Sequence, residues 1–545
     1  MTSWQEKAEL KRQALRSAIR PEWLLPSVPT AELQRDVTGD YIRQFLSPEE
    51  IAITESTPDQ ILKNTTTAKW TSVSVATAFS HRAAIAHQLT NALHEIFFED
   101  GIKRAAELDG YIKEHGRPVG PLHGLPVSLK DSVNVKGIDT TNGFIGRIGA
   151  PAKEDAELAR ILRYLGAVLY CKTAVPQASF AAETENNIIG YTTNAYNRLL
   201  SSGGSSGGEG SLLSLRGSVV GLGSDIGGSI RHPAALNGLF GLKPSYRRLP
   251  IEGVDRVMEG QDMVPFSWGP LSSSAAGLTL IMKSILAQEP WFSDPRVVEI
   301  PWQNDVYEDF VQATKGDRQL VFGVMRNDGI VQPQPPISRG LDMLIDKVKN
   351  LGHKVIDWQP PSHEEANQLS MATWLFDGSE DVLKNLTLSG EPIVDSVAQI
   401  FGSTPGKQST ATEIANTNIA IWRFRKKYMD YWNSTKDLTG TGRPVDAVIA
   451  PTYPYTGVIP GKLKYFGYTP YANILDYSVG VIPVTMADKD VDVYPTKFNL
   501  LSEIDSVVQK DYDPEIQHGA PVGISIFGRR FQDEKILGVL EALSS

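Results

Sequence analysis

Apolar residues recur at helical spacing over much of the N-terminal part of this chain, and the pattern becomes strand-like after Pro118. Two capping-box patterns predict helix starts near the N-terminus. They are Ser3 with Glu6 and Ser47 with Glu50. We expect the first helix to cover residues 3–20, because Pro21 blocks its continuation. Residues 71–115 predict a further helical region, broken near Gly101.

Short runs rich in β-branched residues follow, separated by glycines, and predict buried strands. They cover residues 125–130, 166–172, 319–325, 353–358, 446–454 and 520–528. Helical patterns cover residues 154–165 and 337–351, and a last helix is expected to be capped at Asp533. This alternation predicts an α/β fold with one large sheet covered by helices on both faces. We divide the chain into a helical N-terminal extension, residues 1–70, and one α/β domain, residues 71–545.

The composition excludes several classes of protein. Apolar residues make up 41% of the 545 residues, which is typical of a chain with a large buried core. A net charge of −10 without a long Lys/Arg run argues against a nucleic-acid partner. No secretory signal and no run of about 18 apolar residues is visible, so a cytoplasmic location without membrane contact is expected.

Cysteine and histidine offer no pattern typical of a metal site. Cys171 is the single cysteine, and we predict a small buried apolar residue rather than a nucleophile. His123 and His232 lie too far apart in sequence to form a convincing zinc pair, so both are expected to be structural. We therefore expect neither a metal nor a cofactor.

Gly and Ser are concentrated in residues 201–233, SSGGSSGGEGSLLSLRGSVVGLGSDIGGSIRHP. A flexible linker has this composition, but Leu, Val and Ile interleave with the glycines over residues 212–226, which indicates a buried backbone. A Walker loop is excluded, because Gly-Lys-Ser and Gly-Lys-Thr are absent. The short pattern G-x-S-x-G would make Ser205 the nucleophile of an α/β-hydrolase with His518 as base. The polar residues before it do not resemble the required strand, and we keep this interpretation as an alternative.

Longer motifs in the sequence indicate a different class of hydrolase. GGSSGGEG and SDIGGSIRHPAALNGLFGLKPS resemble the signature of the amidase signature family, and LHGLPVSLKDSVNVKG is similar to that family's lysine motif. Similarity continues through GPLSS, DAVIAPTYP and GAPVGISIFG, so it covers roughly residues 70–540. The N-terminal KAELKRQALRSAIRPEWLLP resembles the fungal acetamidase-like branch. The resemblance implies a large mixed β-sheet sandwiched by helices, and hydrolysis of a carboxamide without a cofactor.

Motif by motif, the resemblance assigns catalysis to three residues, with Ser229 as nucleophile, Ser205 as bridge and Lys130 as base. A serine hydroxyl is a poor nucleophile until a base takes its proton, and a lysine can do this only when it is neutral. Burial among the apolar residues before Lys130 would lower its pKa toward working pH. In the family the bridging serine follows a cis peptide bond, here Gly204–Ser205.

Backbone amides in the IGGS part of the second signature motif are expected to stabilise the developing oxyanion, because glycines let successive N–H groups converge on it. The predicted oxyanion hole comprises Ile226, Gly227, Gly228 and Ser229. Three further residues are expected to support the loop by hydrogen bonding rather than to react. They are Asp225, Arg231 and Ser206.

Some positions depart from the family's usual pattern. Ser273 and Gly277 replace an arginine and an acid, which weakens the expected local helix packing. Ser525 stands where glutamine is common, and this change is expected to alter the edge of the substrate cavity. Tyr191 and Trp374 are candidate liners of the acyl pocket, chosen from variable segments that hold many other aromatic residues.

Three functions fit this sequence. The first is a stand-alone amidase that acts on a small-molecule amide and releases ammonia or an amine. The second is the amidase subunit of a tRNA-dependent amidotransferase, which the helical extension and the absence of a basic face disfavour. The third is a binding protein that kept the fold, which the intact set of relay residues disfavours. The resemblance leaves a homodimer open beside a monomer.

Overall fold

The computed structural model describes residues 3–264, 266–494 and 498–544. The first helices are α1 Trp4–Ser17, α2 Gly39–Arg43, α3 Pro48–Thr54, α4 Pro58–Thr66, α5 Ser72–Thr90, α6 Phe98–His115, α7 Glu157–Tyr164, α8 Gly207–Ser214, α9 Arg231–Leu236 and α10 Ala275–Leu286. The remaining helices are α11 Asn304–Gln312, α12 Pro335–Asn350, α13 His363–Trp374, α14 Glu380–Thr387, α15 Asp395–Phe401, α16 Ala411–Ser434, α17 Lys436–Thr439, α18 Pro470–Leu475, α19 Glu503–Lys510, α20 Pro514–Gln517 and α21 Asp533–Ser544.

One mixed sheet organises the chain. Its strands are β1 Leu93–Ile96, β2 Pro126–Lys130, β3 Val168–Thr173, β6 Val220–Asp225, β7 Phe240–Lys243, β8 Ser267–Ser272, β9 Val321–Val324, β10 Lys354–Asp357, β11 Ala447–Pro451, β12 Val479–Met486 and β13 Pro521–Phe527, and a separate hairpin pairs β4 Glu185–Asn186 with β5 Gly190–Tyr191. The order across the sheet is β1-β3-β2-β6-β8-β7-β12-β13-β11-β9-β10. This architecture confirms the predicted large mixed sheet with helices around it.

Parallel and antiparallel pairing divide the sheet into zones. The strands β3, β2 and β6 run parallel to one another, as do β11, β9 and β10. The pairs between β6 and β11 are antiparallel. Helix α7 connects β2 to β3 and buries Leu158, Ile161 and Leu162, as a parallel crossover requires. The predicted strand–helix–strand units are therefore confirmed.

The predicted helical region 71–115 is wrong in its middle. Asn91, at φ 56°, ends α5, and the short strand β1 follows before α6 begins. Gly101 does not break the helix but lies inside α6, where a Cβ would approach Tyr170 Cβ to 2.7 Å. The glycine is needed for close packing between α6 and β3, which the sequence pattern alone does not distinguish from a helix break.

The N-terminal helices join the main core. Ser3 caps α1 and Ser47 caps α3 through the predicted reciprocal bonds, although α1 ends at Ser17 rather than at residue 20. Trp23 and Ile53 are buried in the same apolar cluster as the strands of the sheet. The division at residue 70 stays a prediction. Within the described ranges, no helix has both the length and the apolarity needed to cross a bilayer.

The Gly/Ser-rich segment is not a linker. Residues 201–233 form α8, β6 and the start of α9, and the side chains of Leu212, Val220 and Leu222 are fully buried. Glycines here let backbone and side chains approach closely. At Gly204, for example, a Cβ would lie 2.6 Å from the Ala181 carbonyl oxygen.

Candidate active site

Lys130 ends β2 with its side chain fully buried. Its Nζ lies 2.6 Å from Ser205 Oγ and 2.8 Å from Ser224 Oγ. The sequence interpretation predicted the first contact and missed the second. Ser224 lies on β6, the parallel neighbour of β2. Ser224 is the first residue of the SDIGGS motif, but nothing in the sequence marks it as a partner of the lysine, since strand pairing brings the two together.

Burial controls the charge of Lys130. Removal from water lowers the pKa of this amine to about 7, because the ammonium form loses its hydration. Asp225, Glu209 and Asp131 act in the opposite direction through their negative charges. A substantial neutral fraction at neutral pH makes this lysine competent as a base.

Ser205 follows a cis peptide bond, Gly204–Ser205, and is 2% exposed. The next residue ties this turn to the second serine loop. Ser206 N–H donates to the Ser229 carbonyl oxygen at 3.1 Å, and Ser206 Oγ donates to the Ser224 carbonyl oxygen at 3.4 Å. Ser206 therefore connects the turn to the Ser229 loop and to β6.

Ser229 is half-buried and lies where two cavities meet. Ser205, Ser224 and Ser229 all line the first cavity, which holds about 530 Å³ of space that is partly open to solvent. The two predicted catalytic serines therefore share one cavity with Ser224, the other hydroxyl that contacts Lys130. A reacting carbonyl group can reach Ser229 from either cavity.

The loop from Ile226 to Ser229 offers three free donors rather than four. The amides of Ile226, Gly227 and Ser229 have no hydrogen-bond partner in the described part of the chain. Gly228 N–H instead donates to Asp225 Oδ1 at 2.8 Å. We therefore remove Gly228 from the predicted oxyanion hole. Its φ of 127° and a Cβ clash with the His232 ring explain why glycine is required there.

Asp225 and Arg231 form a buried, bidentate ion pair. Arg231 Nε and NH2 donate to the two Asp225 oxygens at 2.9 and 2.8 Å. Burial alone would raise the pKa of the Asp225 carboxyl, but Arg231 holds it well below its usual range. Asn473 completes the cluster by accepting from Arg231 at 2.6 Å, and the sequence interpretation missed it. Asp225 also accepts from the backbone amides of Gly228 and Ile230, so this ion pair is bonded directly to the loop.

The second cavity, of about 320 Å³, is mainly aromatic and apolar. Trp374 lines it, and its ring packs edge-on against Phe180 with centroids 5.2 Å apart. Tyr191 does not line either cavity beside Ser229. Its hydroxyl donates to Glu183 Oε1 at 2.5 Å in the hairpin region, so its predicted pocket role is corrected.

Residues behind the alternative hydrolase mechanism lie elsewhere. His518 is exposed, and its Nδ1 accepts from Lys489 N–H at 3.2 Å, while Ser205 has Lys130 as its partner. Ser525 is buried against Thr452, with hydroxyls 2.8 Å apart, and lines neither cavity beside Ser229. The expected effect of Ser525 on the cavity edge is therefore wrong.

The other two departures from the family pattern, Ser273 and Gly277, take part in local hydrogen bonds. Ser273 Oγ accepts from Arg216 at 2.7 Å. Gly277 N–H donates to Ser274 Oγ at 3.2 Å, which caps α10, so the expected weakening of helix packing is not seen. A side chain at Gly277 would collide with Ser272.

The histidines and the cysteine have structural surroundings. His232 is buried with Nε2 2.9 Å from Thr469 Oγ1, and burial lowers its pKa to about 3. His123 is buried and accepts from Val119 N–H at 3.1 Å. Cys171 is buried in β3. Within the described residues, no group of three His, Cys, Asp or Glu side chains is arranged to hold a metal ion.

Comparison with known proteins defines the class as amide-hydrolysing enzymes. A family model described as Amidase matches residues 74–537. The acetamidases of Aspergillus oryzae and Emericella nidulans are each 40% identical to this chain, over 539 and 541 residues, which is 99% of this chain in both cases and 98% and 97% of theirs. A solved fatty acid amide hydrolase, 34% identical, superposes with a TM-score of 0.92 over 98% of this chain and 94% of its own.

This chain belongs to the amidase family and is similar to two fungal acetamidases over almost its whole length. The coverage is nearly complete in both directions, so the match includes the N-terminal helices as well as the sheet. The family resemblance inferred from the sequence motifs is thereby confirmed. Amide hydrolysis is the activity of the class.

Proposed function

We propose that this amidase cleaves the C–N bond of a small carboxamide through an acyl-enzyme on Ser229, with Ser205 and Lys130 as a proton relay. The observation that carries the proposal is the 2.6 Å contact between the buried Lys130 Nζ and Ser205 Oγ. Burial favours the neutral form of this amine, and a neutral amine in contact with a hydroxyl can accept its proton.

In the first step Ser229 Oγ attacks the amide carbon and forms the C–O bond. Its proton passes to Ser205 Oγ while Ser205 gives its own proton to neutral Lys130. Collapse of the tetrahedral intermediate breaks the C–N bond, and the same protons return through Ser205 to the departing nitrogen. Ammonia or an amine leaves, and Ser229 remains as an ester.

Water then completes the cycle by the same route. The relay removes a proton from water as it attacks the ester carbonyl, and Ser229 Oγ regains a proton as the carboxylate departs. The free amides of Ile226, Gly227 and Ser229 are proposed to bind the oxyanion in both steps, because preorganised donors stabilise charge as it develops. Neither step uses a metal or a cofactor.

Substrate preference is proposed from the cavities. The aromatic cavity beside Trp374, Phe180 and Phe466 suits an apolar aliphatic or aromatic group, while the first cavity mixes polar and apolar residues. Similarity to proteins named acetamidase supports a small acyl group. We propose that the chain acts alone on such amides and releases ammonia into solution.

The test is covalent labelling combined with product analysis. Purified protein incubated with a fluorophosphonate should gain one adduct on Ser229, and Ser229→Ala should prevent it. Ser403→Ala is a matched control, because Ser403 is exposed and outside the site. Labelling of Ser205 instead would support the nucleophile-elbow alternative and would overturn the proposal.

Product analysis distinguishes the remaining alternatives. The protein alone should release ammonia from acetamide and benzamide, and a series of amides of increasing acyl size should identify the preferred group. Absence of both labelling and ammonia release would favour the binding-protein alternative. Ammonia release that requires partner subunits would favour the amidotransferase alternative.

A further inference from the structure

Glu209 is a buried carboxyl beside Lys130 that the proposed relay does not use. It belongs to the first turn of α8, which begins just after the Ser205 turn, and it is fully buried. Its Oε2 accepts from Ser128 Oγ at 2.6 Å, and its Oε1 accepts from Thr173 Oγ1 at 3.0 Å. Ser128 lies two residues before Lys130 on β2, and Thr173 is the register partner of Lys130 on β3.

Glycines create the space for this carboxyl. A Cβ at Gly221 on β6 would collide with Glu209 Oε2. A Cβ at Gly208 would collide with the backbone of Ala174, which follows β3. Helix α8 can therefore lie close enough to the sheet for the Glu209 side chain to reach between β2 and β3. In the GGEG sequence, residues 207–210, the glycines let α8 approach the sheet closely and Glu209 supplies the carboxyl group.

The groups that face Glu209 come from several elements. Lys130 on β2 is the cation among them, and Tyr170 and Cys171 on β3 are held neutral, because burial raises the pKa of both well above the usual values. Asp225 on β6 and Asp131, which follows β2, face Lys130 as further anions. Burial also raises the pKa of Glu209 to about 7, against the opposing effects of its hydroxyl partners and Lys130.

We propose that Glu209 is a positioning residue for amide hydrolysis, whose buried carboxylate maintains the basicity of Lys130. The inference rests on the proposed relay through Ser205. A carboxylate near an amine favours the ammonium form, so it makes the lysine a stronger base. Without this charge, only Asp225 and Asp131 would oppose the effect of burial, and the amine would accept the relay proton less readily. Two such interacting groups titrate as a pair.

The variant Glu209→Gln tests the charge while preserving shape, because the amide can still bond to both hydroxyls. We expect the acid limb of the kcat/KM profile to move about one pH unit or more to lower pH. The plateau should fall at the same time, since the base is weaker. The pH dependence of fluorophosphonate labelling at Ser229 should show the same shift without any substrate.

Two further variants separate charge from packing. Glu209→Asp keeps the charge and should retain an acid limb close to that of the unmodified enzyme. Glu534→Gln removes another buried carboxylate, one that pairs with Arg248 away from the site, and should leave the limb in place. A limb that moves equally in the Glu534 control would overturn the proposal.

The outcomes also separate this inference from the relay itself. An unmoved limb in Glu209→Gln, together with an inactive Lys130→Ala, overturns the role of Glu209 and leaves the relay intact. Full activity in Lys130→Ala overturns the relay. If Glu209→Gln does not fold, Thr173→Val removes one donor to the carboxylate and should move the limb the same way by roughly half a unit. No movement there also contradicts the proposal.

Discussion

Two buried lysines on neighbouring strands illustrate how the same side chain acquires different roles. Lys130 on β2 and Lys172 on β3 are both fully buried. The amine of Lys130 contacts the hydroxyls of Ser205 and Ser224. The amine of Lys172 donates to the Asp139 carbonyl oxygen at 2.6 Å and to Thr140 Oγ1 at 2.7 Å, and lies 3.4 Å from Asp131 Oδ1.

Both amines contact a hydroxyl, but the amine of Lys172 also contacts a carbonyl oxygen and a carboxylate oxygen. A hydroxyl both donates and accepts, so it can face either a neutral amine or an ammonium group. Carbonyl and carboxylate oxygens only accept, so they favour the ammonium form. Burial lowers the pKa of both lysines, but at Lys172 the opposing charge of Asp131 is in direct contact. Partner chemistry, rather than burial, distinguishes the candidate base from the structural cation.

The structural cation belongs to a wider cluster beside the active site. Burial alone would raise the pKa of the Asp131 carboxyl, but Lys172 and His94 hold it far below its usual range. Asp131 Oδ2 also accepts from Asn142 N–H at 2.7 Å. Because Asp131 directly follows Lys130, this cluster anchors the end of the strand that carries the proposed base.

The largest expected effect comes from Lys130→Ala. Loss of the general base should lower kcat/KM by about 10³-fold, in the range typical of acid–base catalysis. Lys136→Ala is the matched control, because Lys136 is exposed and lies six residues further on. Steady-state ammonia release should show the loss in the first variant alone. Comparable activity in both would contradict the role given to Lys130.

At the other buried lysine, the substitution Lys172→Met should lower the free energy of unfolding. Its removal leaves Asp131 buried without its cation, which should cost about 3 kcal/mol in the free energy of unfolding. Urea denaturation followed by circular dichroism measures this change, with Lys136→Met as control. A Lys172→Met protein that kept its full stability but lost activity would contradict the structural role given to Lys172.

Lys11→Met should have a smaller effect. Lys11 on α1 donates to Glu95 Oε1 at 2.5 Å, at the edge of the same cluster. Burial raises the pKa of Glu95 to about 7, so this carboxyl can take up a proton when its partner is removed. We expect a loss of about 2 kcal/mol and an unchanged pH profile. Lys7→Met on the same helix is the control, and an equal loss there would show that the Glu95 contact is not responsible.

The pH dependence of the unmodified enzyme changes no residue and tests the charge of Lys130 directly. The pKa of Lys130 is lowered from 10.5 to about 7, so the ammonium form predominates below pH 7 and the relay loses its base. We expect kcat/KM to rise about tenfold per pH unit up to this value and then to level off. A profile that is flat between pH 5 and about 8 would be inconsistent with a titrating amine as base.

Local features of the chain were predictable because their causes are local. The capping boxes of α1 and α3 depend on residues three positions apart, and the buried strands carry their own apolar runs. Strand β1 was missed because its residues, LHEI, lie between two strong helical patterns. Gly101 was misinterpreted because close packing between α6 and β3 is invisible in one helix's sequence.

The site was predictable only as a set of residue types. The motifs identified Lys130, Ser205 and Ser229, but they gave no reason to add Ser224, Glu209 or Asn473. Those side chains come from separate elements that meet through strand order and helix packing. The commitment of the Gly228 amide to Asp225 likewise depends on the loop's conformation and not on its composition.

The amino-acid sequence by itself determined the family, the alternation of strands and helices, and the presence of an amine and two hydroxyls in specific motifs. The tertiary structure alone decided which of the two buried lysines meets a carboxylate in addition to a hydroxyl. The physical reason is that proton affinity depends on the charges and hydrogen-bond partners within a few ångströms. Those neighbours are distant in sequence and adjacent only after the sheet has formed.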